Sequence, residues 1–450
     1  MLSATRPLWQ RFLIFLMPLM AANILQSLSG TINNIYIGQL LGVEALAAAS
    51  VFFPILIFLI SFIIGLSSGA TILIGQAWGA RNVEKVKQVA GTTLTVSFLA
   101  GIVVAIIGAL FTPNIMQVLG APENILPVAT AYGRVMLIGM PGFFVFLIVT
   151  SILRGVGDTV TPLLTLGISI LCGLLITPSL ILGWGGLPRI GVMAAAVATI
   201  AGFTLSLVFL FFYLRARKHP MAPDALLLKS LRIDPQLFKL ILKLGVPAGI
   251  QMVVSSVAAI VVVGLVNRFG SNATAAYGAV NQVLSYVQFP AMSIAIAASI
   301  FGAQAIGAGQ ASQLGAITRT ALVLNLLLTG GLVLIAYIFS ERLVALFITD
   351  PDVIALTQEL LHIVLWSVIM FGAASVLSGV MRSSGTVLVP MLLSLAAILL
   401  VEVPGAIFLS QVMGLNGIWI AYACAFGVML VLQAGYYWFF WRGRAIKALI

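Results

Sequence analysis

The chain has 450 residues, of which 62% are hydrophobic and only 7% charged, against roughly a quarter charged in ordinary soluble domains. So few charges cannot cover a water-exposed surface, which excludes a string of soluble domains and turns the apolar surface towards lipid. The net charge of +11 sits in short breaks between apolar runs, as at Arg81, Lys85 and Lys87, and not interleaved with aromatics on one face, which excludes a nucleic-acid surface.

A membrane-spanning helix needs about 20 mainly apolar residues. That length places twelve predicted spans at 12–38, 46–75, 89–112, 125–152, 161–183, 190–214, 240–266, 274–304, 317–339, 353–380, 388–411 and 416–441. The fold class expected is an all-α integral membrane protein with two six-helix lobes. Arg6 and Arg11 precede the first run as in a signal peptide, but the run continues to about Gly42, so an uncleaved first span is expected.

That first span carries Asn23, Gln26, Ser27, Gly30, Asn33 and Asn34. Their offsets from Asn23 are three, four, seven, ten and eleven, which puts them on one helix face. Polar groups in hydrocarbon face a cavity or a neighbouring helix. Four amides on one stripe point to a cavity lining, with hydrogen bonds between helices as the plainer alternative. The fourth span ends in LRGVGDTVTP, where Arg154, Gly157 and Asp158 form a candidate loop or gating motif. The segment 215–238, RARKHPMAPDALLLKSLRIDPQLF, is basic, holds three prolines and lies midway along the chain. It reads as a cytoplasmic linker between lobes 1–214 and 239–450.

In the second half, Gln251 and Ser255 stand i, i+4 in the seventh span, and Asn281, Gln282, Ser285 and Gln288 mark the eighth. They are candidates for the same cavity, and helix packing explains them equally well. His362, near the start of the tenth span, reads as an interfacial residue. Glu402 in LLVEVPGAIF is the only carboxylate deep in a span. A deep carboxylate is costly unless neutral, paired or hydrated, which suits a residue that loads and releases an ion, or else one that stabilises the kink at Pro404 or pairs with a neighbouring helix. Pro404 leaves the carbonyl of Leu400 without its usual helical donor. Cys172 and Cys424 have no metal-ligand or disulfide spacing and read as buried small hydrophobes. His219 and His362 are the only histidines, and neither accompanies a catalytic cluster, so no enzyme and no cofactor is expected.

Two segments repeat at a fixed offset. Arg154, Gly157 and Pro162 recur as Arg382, Gly385 and Pro390, each 228 residues on. Gln76, Gly79 and Ala80 match Gln304, Gly307 and Ala308 at the same offset, as does Gly42 with Gly270. Six spans per half give both halves the same orientation, a parallel repeat of the kind found in transporters that bind cargo between lobes. Eighteen of the 22 basic residues fall on one side of the twelve-span scheme, which places both termini in the cytoplasm.

Taken in order, NNIYIGQLLG, GQAWGARN, LRGVGDTVTP, TPSLILGWGGLPRIGVMAAAVAT and LGVPAGIQM resemble the MATE (multidrug and toxic compound extrusion) family over essentially the whole chain. The resemblance implies two six-helix lobes, a central cavity open to each side in turn, and export of cationic or amphipathic compounds driven by Na⁺ or H⁺. Carboxylates common in the family are replaced here by Asn33, Thr177, Ser255 and Thr386. The expected function is therefore an ion-coupled efflux antiporter for small organic cations or amphipathic drugs, without a cofactor. It is expected as a monomer in the bilayer of a bacterial inner membrane. The alternative is a lipid or lipid-linked glycan flippase of similar architecture. Such a flippase would need a deep intramembrane cation for its anionic cargo, and none stands out.

Overall fold

The structure, a computed structural model, describes residues 6–450. Backbone N–H and C=O groups have no water to bond in hydrocarbon, so each apolar run satisfies them internally as a helix. The helices are α1 Leu8–Leu41, α2 Val43–Gly79, α3 Val83–Val118, α4 Leu126–Ile138 with Met140–Gly155, α5 Val160–Leu182 and α6 Met193–Ala216. The second half supplies α7 Pro235–Asn267, α8 Ser271–Gly307, α9 Ala311–Ile338, α10 Pro351–Val364 with Ser367–Ser383, α11 Leu388–Met413 and α12 Leu415–Trp441. These match the twelve expected spans to within a few residues, the helices mostly running on into their polar flanks.

Two of the twelve are bent, α4 by 50° and α10 by 41°. In α4 the break falls at Gly139 and Pro141, where proline lacks the N–H that would continue the ladder. In α10 the Ser367 hydroxyl donates to the carbonyl of Val364 at 2.6 Å, competing with the backbone at the break. Pro404 has a different effect in α11. The turn before it, Ile398–Glu402, is a π-helix in which the Val403 N–H reaches back five residues to Ile398.

The chain forms two compact units. One takes the chain up to Met20, Gly75–Arg81 and Pro247–Ile450; the other takes Ala21–Ile74 and Asn82–Val246. Their limits differ from the sequence halves because helix ends pack away from their own half. In the first unit, Phe12 and Phe15 of α1 are buried against Phe301 of α8, with ring centroids 4.7 and 5.3 Å apart. In the second, the start of α7 lies on α2 so closely that backbone meets backbone. A Cβ at Gly69 would stand 2.4 Å from the Ile241 carbonyl oxygen, and one at Gly245 would stand 2.2 Å from that of Gly65.

The first unit contains an equivalent crossing of the repeated Gln-Ala-X-Gly segments. A Cβ at Gly79 would lie 2.0 Å from the Gln304 carbonyl oxygen, and one at Gly307 would lie 1.8 Å from that of Gln76. Each repeat's glycine thus seats the other repeat's glutamine backbone. The fully buried Gln76 side chain donates to the Ser383 carbonyl at 2.8 Å and accepts from the Leu449 N–H at 2.7 Å.

Both cysteines are free, Cys172 half-buried and Cys424 exposed, which corrects the expectation of two buried thiols. An apolar stretch in a membrane protein has a lipid face as well as a core face, so hydrophobicity alone does not bury a position.

Candidate functional site

α1 is one continuous helix from Leu8 to Leu41, so its amide stripe keeps the single face that the spacing predicts. Asn23, Gln26, Asn33 and Asn34 belong to the unit formed by Ala21–Ile74 and Asn82–Val246. Gln26 and Asn34 are exposed, and Asn23 and Asn33 are half-buried. Gln26 and Asn34 thus present their amides at the helix surface.

Gln251, Ser255, Asn281 and Gln282 all lie in the other unit. Gln251, Asn281 and Gln282 are half-buried and Ser255 is exposed. The Ser255 hydroxyl donates to the Gln251 carbonyl at 2.9 Å, and Ser285 does the same to Asn281 at 2.8 Å. These hydroxyl protons are spent inside their own helices, leaving the oxygens as acceptors.

Glu402, in the same unit, is 7% exposed and ends the π turn of α11. Among the described residues it has no ion-pair partner. The turn packs against α12, which carries Tyr422. Tyr422 continues a ladder of rings through Trp419 at 5.3 Å to Tyr277 of α8 at 5.2 Å. π turns are recurrent features of functional sites in helices. Here one holds a buried carboxylate beside α12.

The Arg154–Asp158 motif is a helix cap tied to the linker. Gly157, at φ 93°, ends α4 in the left-handed region, with its N–H on the Arg154 carbonyl and the Asp158 N–H on that of Leu153, both at 2.9 Å. Asp158 then caps α5 by accepting the N–H groups of Val160 and Thr161 at 3.0 Å and the Thr161 hydroxyl. Arg154 reaches back to the Thr150 hydroxyl at 3.4 Å.

His219 of the linker completes the cap. Its Nε2 stands 3.3 Å from Asp158 Oδ2, while its Nδ1 accepts the Met221 N–H at 3.1 Å. A ring that accepts at Nδ1 carries its proton on Nε2, so neutral His219 donates to Asp158. Burial pushes the Asp158 carboxyl up, but the bonds from His219 and Thr161 outweigh it and hold the group below the usual carboxylate range.

The second-half turn also passes through a left-handed glycine, Gly385 at φ 86° with its N–H on the Arg382 carbonyl, but its tethers differ. Thr386 stands where the acid would be, and the Trp441 indole reaches Ser384 at 3.2 Å and Thr386 at 3.3 Å.

Three further contacts were beyond the sequence reading. Buried Lys87 pairs with Asp224 of the linker, a hydrogen bond that holds Asp224 below its ordinary range. Asn325 in α9 bonds the Ile369 carbonyl at 3.0 Å. His362, expected at an interface, faces Ser340 at 2.9 Å and stacks on Tyr337 at 4.1 Å. Among the described residues no cluster of three or more metal-ligating side chains occurs.

Comparison with known proteins adds a family. A family model described as MatE matches residues 18–179 and again 247–408, so one unit of sequence is present twice. The probable multidrug resistance protein YoeA of Bacillus subtilis is 45% identical over 444 residues, covering 98% of this chain and 96% of that protein. The probable multidrug resistance protein NorM of Thermotoga maritima is 26% identical, covering 90% of this chain and 86% of its own. A solved MATE transporter from Vibrio cholerae shares the fold, with a TM-score of 0.83, 21% identity, and coverage of 95% of this chain and 97% of that one. The flippase alternative draws no support from these relatives. Matched by the family model in both halves and nearly half identical to a relative over almost its whole length, this chain belongs to the MATE family of membrane transporters.

Proposed function

We propose that the chain is a secondary active exporter of cationic or amphipathic small organic compounds, coupled to inward flow of H⁺ or Na⁺. The names of the multidrug relatives support the cargo class. The amides of α1, α7 and α8 would line the cargo path as lobes 1–214 and 239–450 alternate in access. The eighteen-to-four charge division supports an inner-membrane orientation with both termini cytoplasmic. The protein would work as a monomer.

The observation that carries the coupling is Glu402: a buried carboxylate without an ion pair among the described residues, in a locally unwound turn of a spanning helix. Such a group exchanges a proton or a small cation more readily than a paired one, because no counter-charge has to be displaced. The family positions that commonly carry acids hold Asn33, Thr177 and Ser255 here, which leaves Glu402 as the deep carboxylate available.

The test is efflux of a panel of organic cations from proteoliposomes under separately imposed H⁺ and Na⁺ gradients, for the wild type and Glu402→Gln. Gln keeps the shape and removes the charge. The variant should bind cargo and lose gradient-driven export. Wild-type rates with an unaltered pH and Na⁺ profile would remove Glu402 from coupling.

A further inference from the structure

We infer that the linker between the halves is a membrane-surface element whose partner is the anionic headgroup layer of phospholipid. The sequence Asp224–Ile233 reads DALLLKSLRI, and its short helix Ala225–Ser230 starts at Asp224, which accepts the Leu227 N–H at 2.8 Å. One face is seated on α3: Leu227 and Ser230 are buried, and the Ser230 carbonyl oxygen lies where a Cβ at Gly91 would stand 2.1 Å away. Thr92 fastens the exit by donating to the Arg232 carbonyl at 3.1 Å.

The other face is open. Leu226, Leu228, Leu231 and Ile233 are 37%, 63%, 44% and 43% exposed, with exposed Lys229 and Arg232 among them. Four open aliphatic side chains on an eight-residue stretch would be a liability in water.

The depth of the segment on α3 identifies what covers it. α3 carries charges only at Glu84, Lys85 and Lys87, and none from Gln88 to Val118. The linker is fastened at Lys87, Gly91 and Thr92, within about 8 Å along the helix of the last charge at 1.5 Å per residue. That is the level at which α3 passes from polar to apolar surroundings, so the linker lies in the interface, where aliphatic side chains dip inward and basic ones reach the headgroups.

The charge on this face is unbalanced. Asp224 is taken by Lys87, and Asp234 caps the start of α7 by accepting the Gln236 and Leu237 N–H groups at 2.9 and 3.2 Å. No carboxylate lies between them, and among the described residues neither Lys229 nor Arg232 has an ion pair. At the end of α6, Phe211 and Phe212 are also exposed, with Arg215 over the Phe211 ring at 5.4 Å. Basic groups beside an acyl-seated apolar face complement an anionic lipid layer, and they attract it in proportion to their number.

Two measurements on the full chain test this. In the first, a nitroxide is placed by Leu228→Cys, on a background with Cys172 and Cys424 replaced by Ser, in phosphatidylcholine vesicles containing about a quarter phosphatidylglycerol. Relaxation by oxygen should exceed relaxation by an aqueous nickel chelate, whereas a label at Lys218 should show the reverse. Equal aqueous access at the two sites would overturn the surface placement. In the second, thermal unfolding is followed in mixed micelles with phosphatidylglycerol, with phosphatidylcholine, or with phosphatidylcholine and inorganic phosphate. Phosphatidylglycerol should raise the wild-type midpoint above the other two conditions, and Lys229→Gln/Arg232→Gln should lose at least half of that rise. An undiminished rise in the double variant would overturn the headgroup contact. So would an equal rise with inorganic phosphate, which would show a soluble anion to be enough.

Discussion

Replacing Gly307 with Ala tests the crossing of α2 and α8 by the smallest available perturbation. The new methyl carbon would fall 1.8 Å from the Gln76 carbonyl oxygen, 2.6 Å from its carbon and 2.8 Å from its Cα, where real contacts stay above 3.0 Å. The obstacle is backbone on a second helix, so no rotamer relieves it and the two helices must part by about 1.2 Å. Overpacking of this kind costs about 1–3 kcal/mol. The better helix propensity of Ala returns about 0.5–1 kcal/mol. A net loss of about 1–2 kcal/mol shifts the folded population by a factor of roughly 5–30. The separation also pulls the Gln76 amide away from Ser383 and Leu449. Gly435→Ala is the control, since nothing lies within 4 Å of a Cβ there and the same propensity gain is unopposed. Aggregation half-life in detergent at fixed temperature, read by size-exclusion chromatography, should fall at least about fivefold for Gly307→Ala and hold or lengthen for Gly435→Ala. Matching half-lives for the two variants would refute the close-crossing argument.

Gln26→Leu and Asn33→Leu, on the open amide face of α1, should each lower efflux of organic cations while the protein still reaches the membrane; unchanged transport in both would assign the stripe to packing. Asp158→Asn keeps a capping oxygen but removes the charge that strengthens the bonds from His219 and Thr161, and should lower thermal stability by roughly 1 kcal/mol. Because the folded Asp158 carboxyl lies below its unfolded value, its contribution is fully present above the ordinary carboxylate pKa of about 4 and is lost as pH falls through the lower folded value. The difference in stability between wild type and Asp158→Asn should therefore be constant near neutrality and shrink in acid, and a difference that grows in acid would contradict the assignment. Single cysteines at Lys218 and Ala445 on a cysteine-free background should react with impermeant maleimide only from the cytoplasmic side, and outer labelling at either would reverse the orientation.

The spans could be read from the sequence because hydrocarbon thickness sets a length, and a helix is the structure that satisfies that length internally. The repeat was legible for a related reason: the turn at Gly157 and Gly385 needs a left-handed residue in both copies. Packing was not, because apolar periodicity does not separate a core face from a lipid face. Cys424 and Leu400 stand in runs as apolar as those of buried Trp419, and both are exposed. Nor does spacing reveal that Phe12 packs on Phe301, or that Lys87 finds Asp224 across 137 residues. Of the candidate site, the α1 face follows from an unbroken helix. The π turn under Glu402 was read only as a proline-disturbed ladder, since a missing donor is visible in sequence and the register it shifts to is not.

The two capping turns share a left-handed glycine and differ in chemistry, and this limits how the halves could be recombined. The first is fastened by a carboxylate that acid neutralises, and the second by hydroxyls and an indole that do not titrate in any ordinary buffer. A chimera carrying two copies of the second half would keep a left-handed glycine at each turn and still lack an acid-sensitive fastening. One carrying two copies of the first would be loosened by acid at both ends. After duplication the copies have kept their shape and given up their interchangeability.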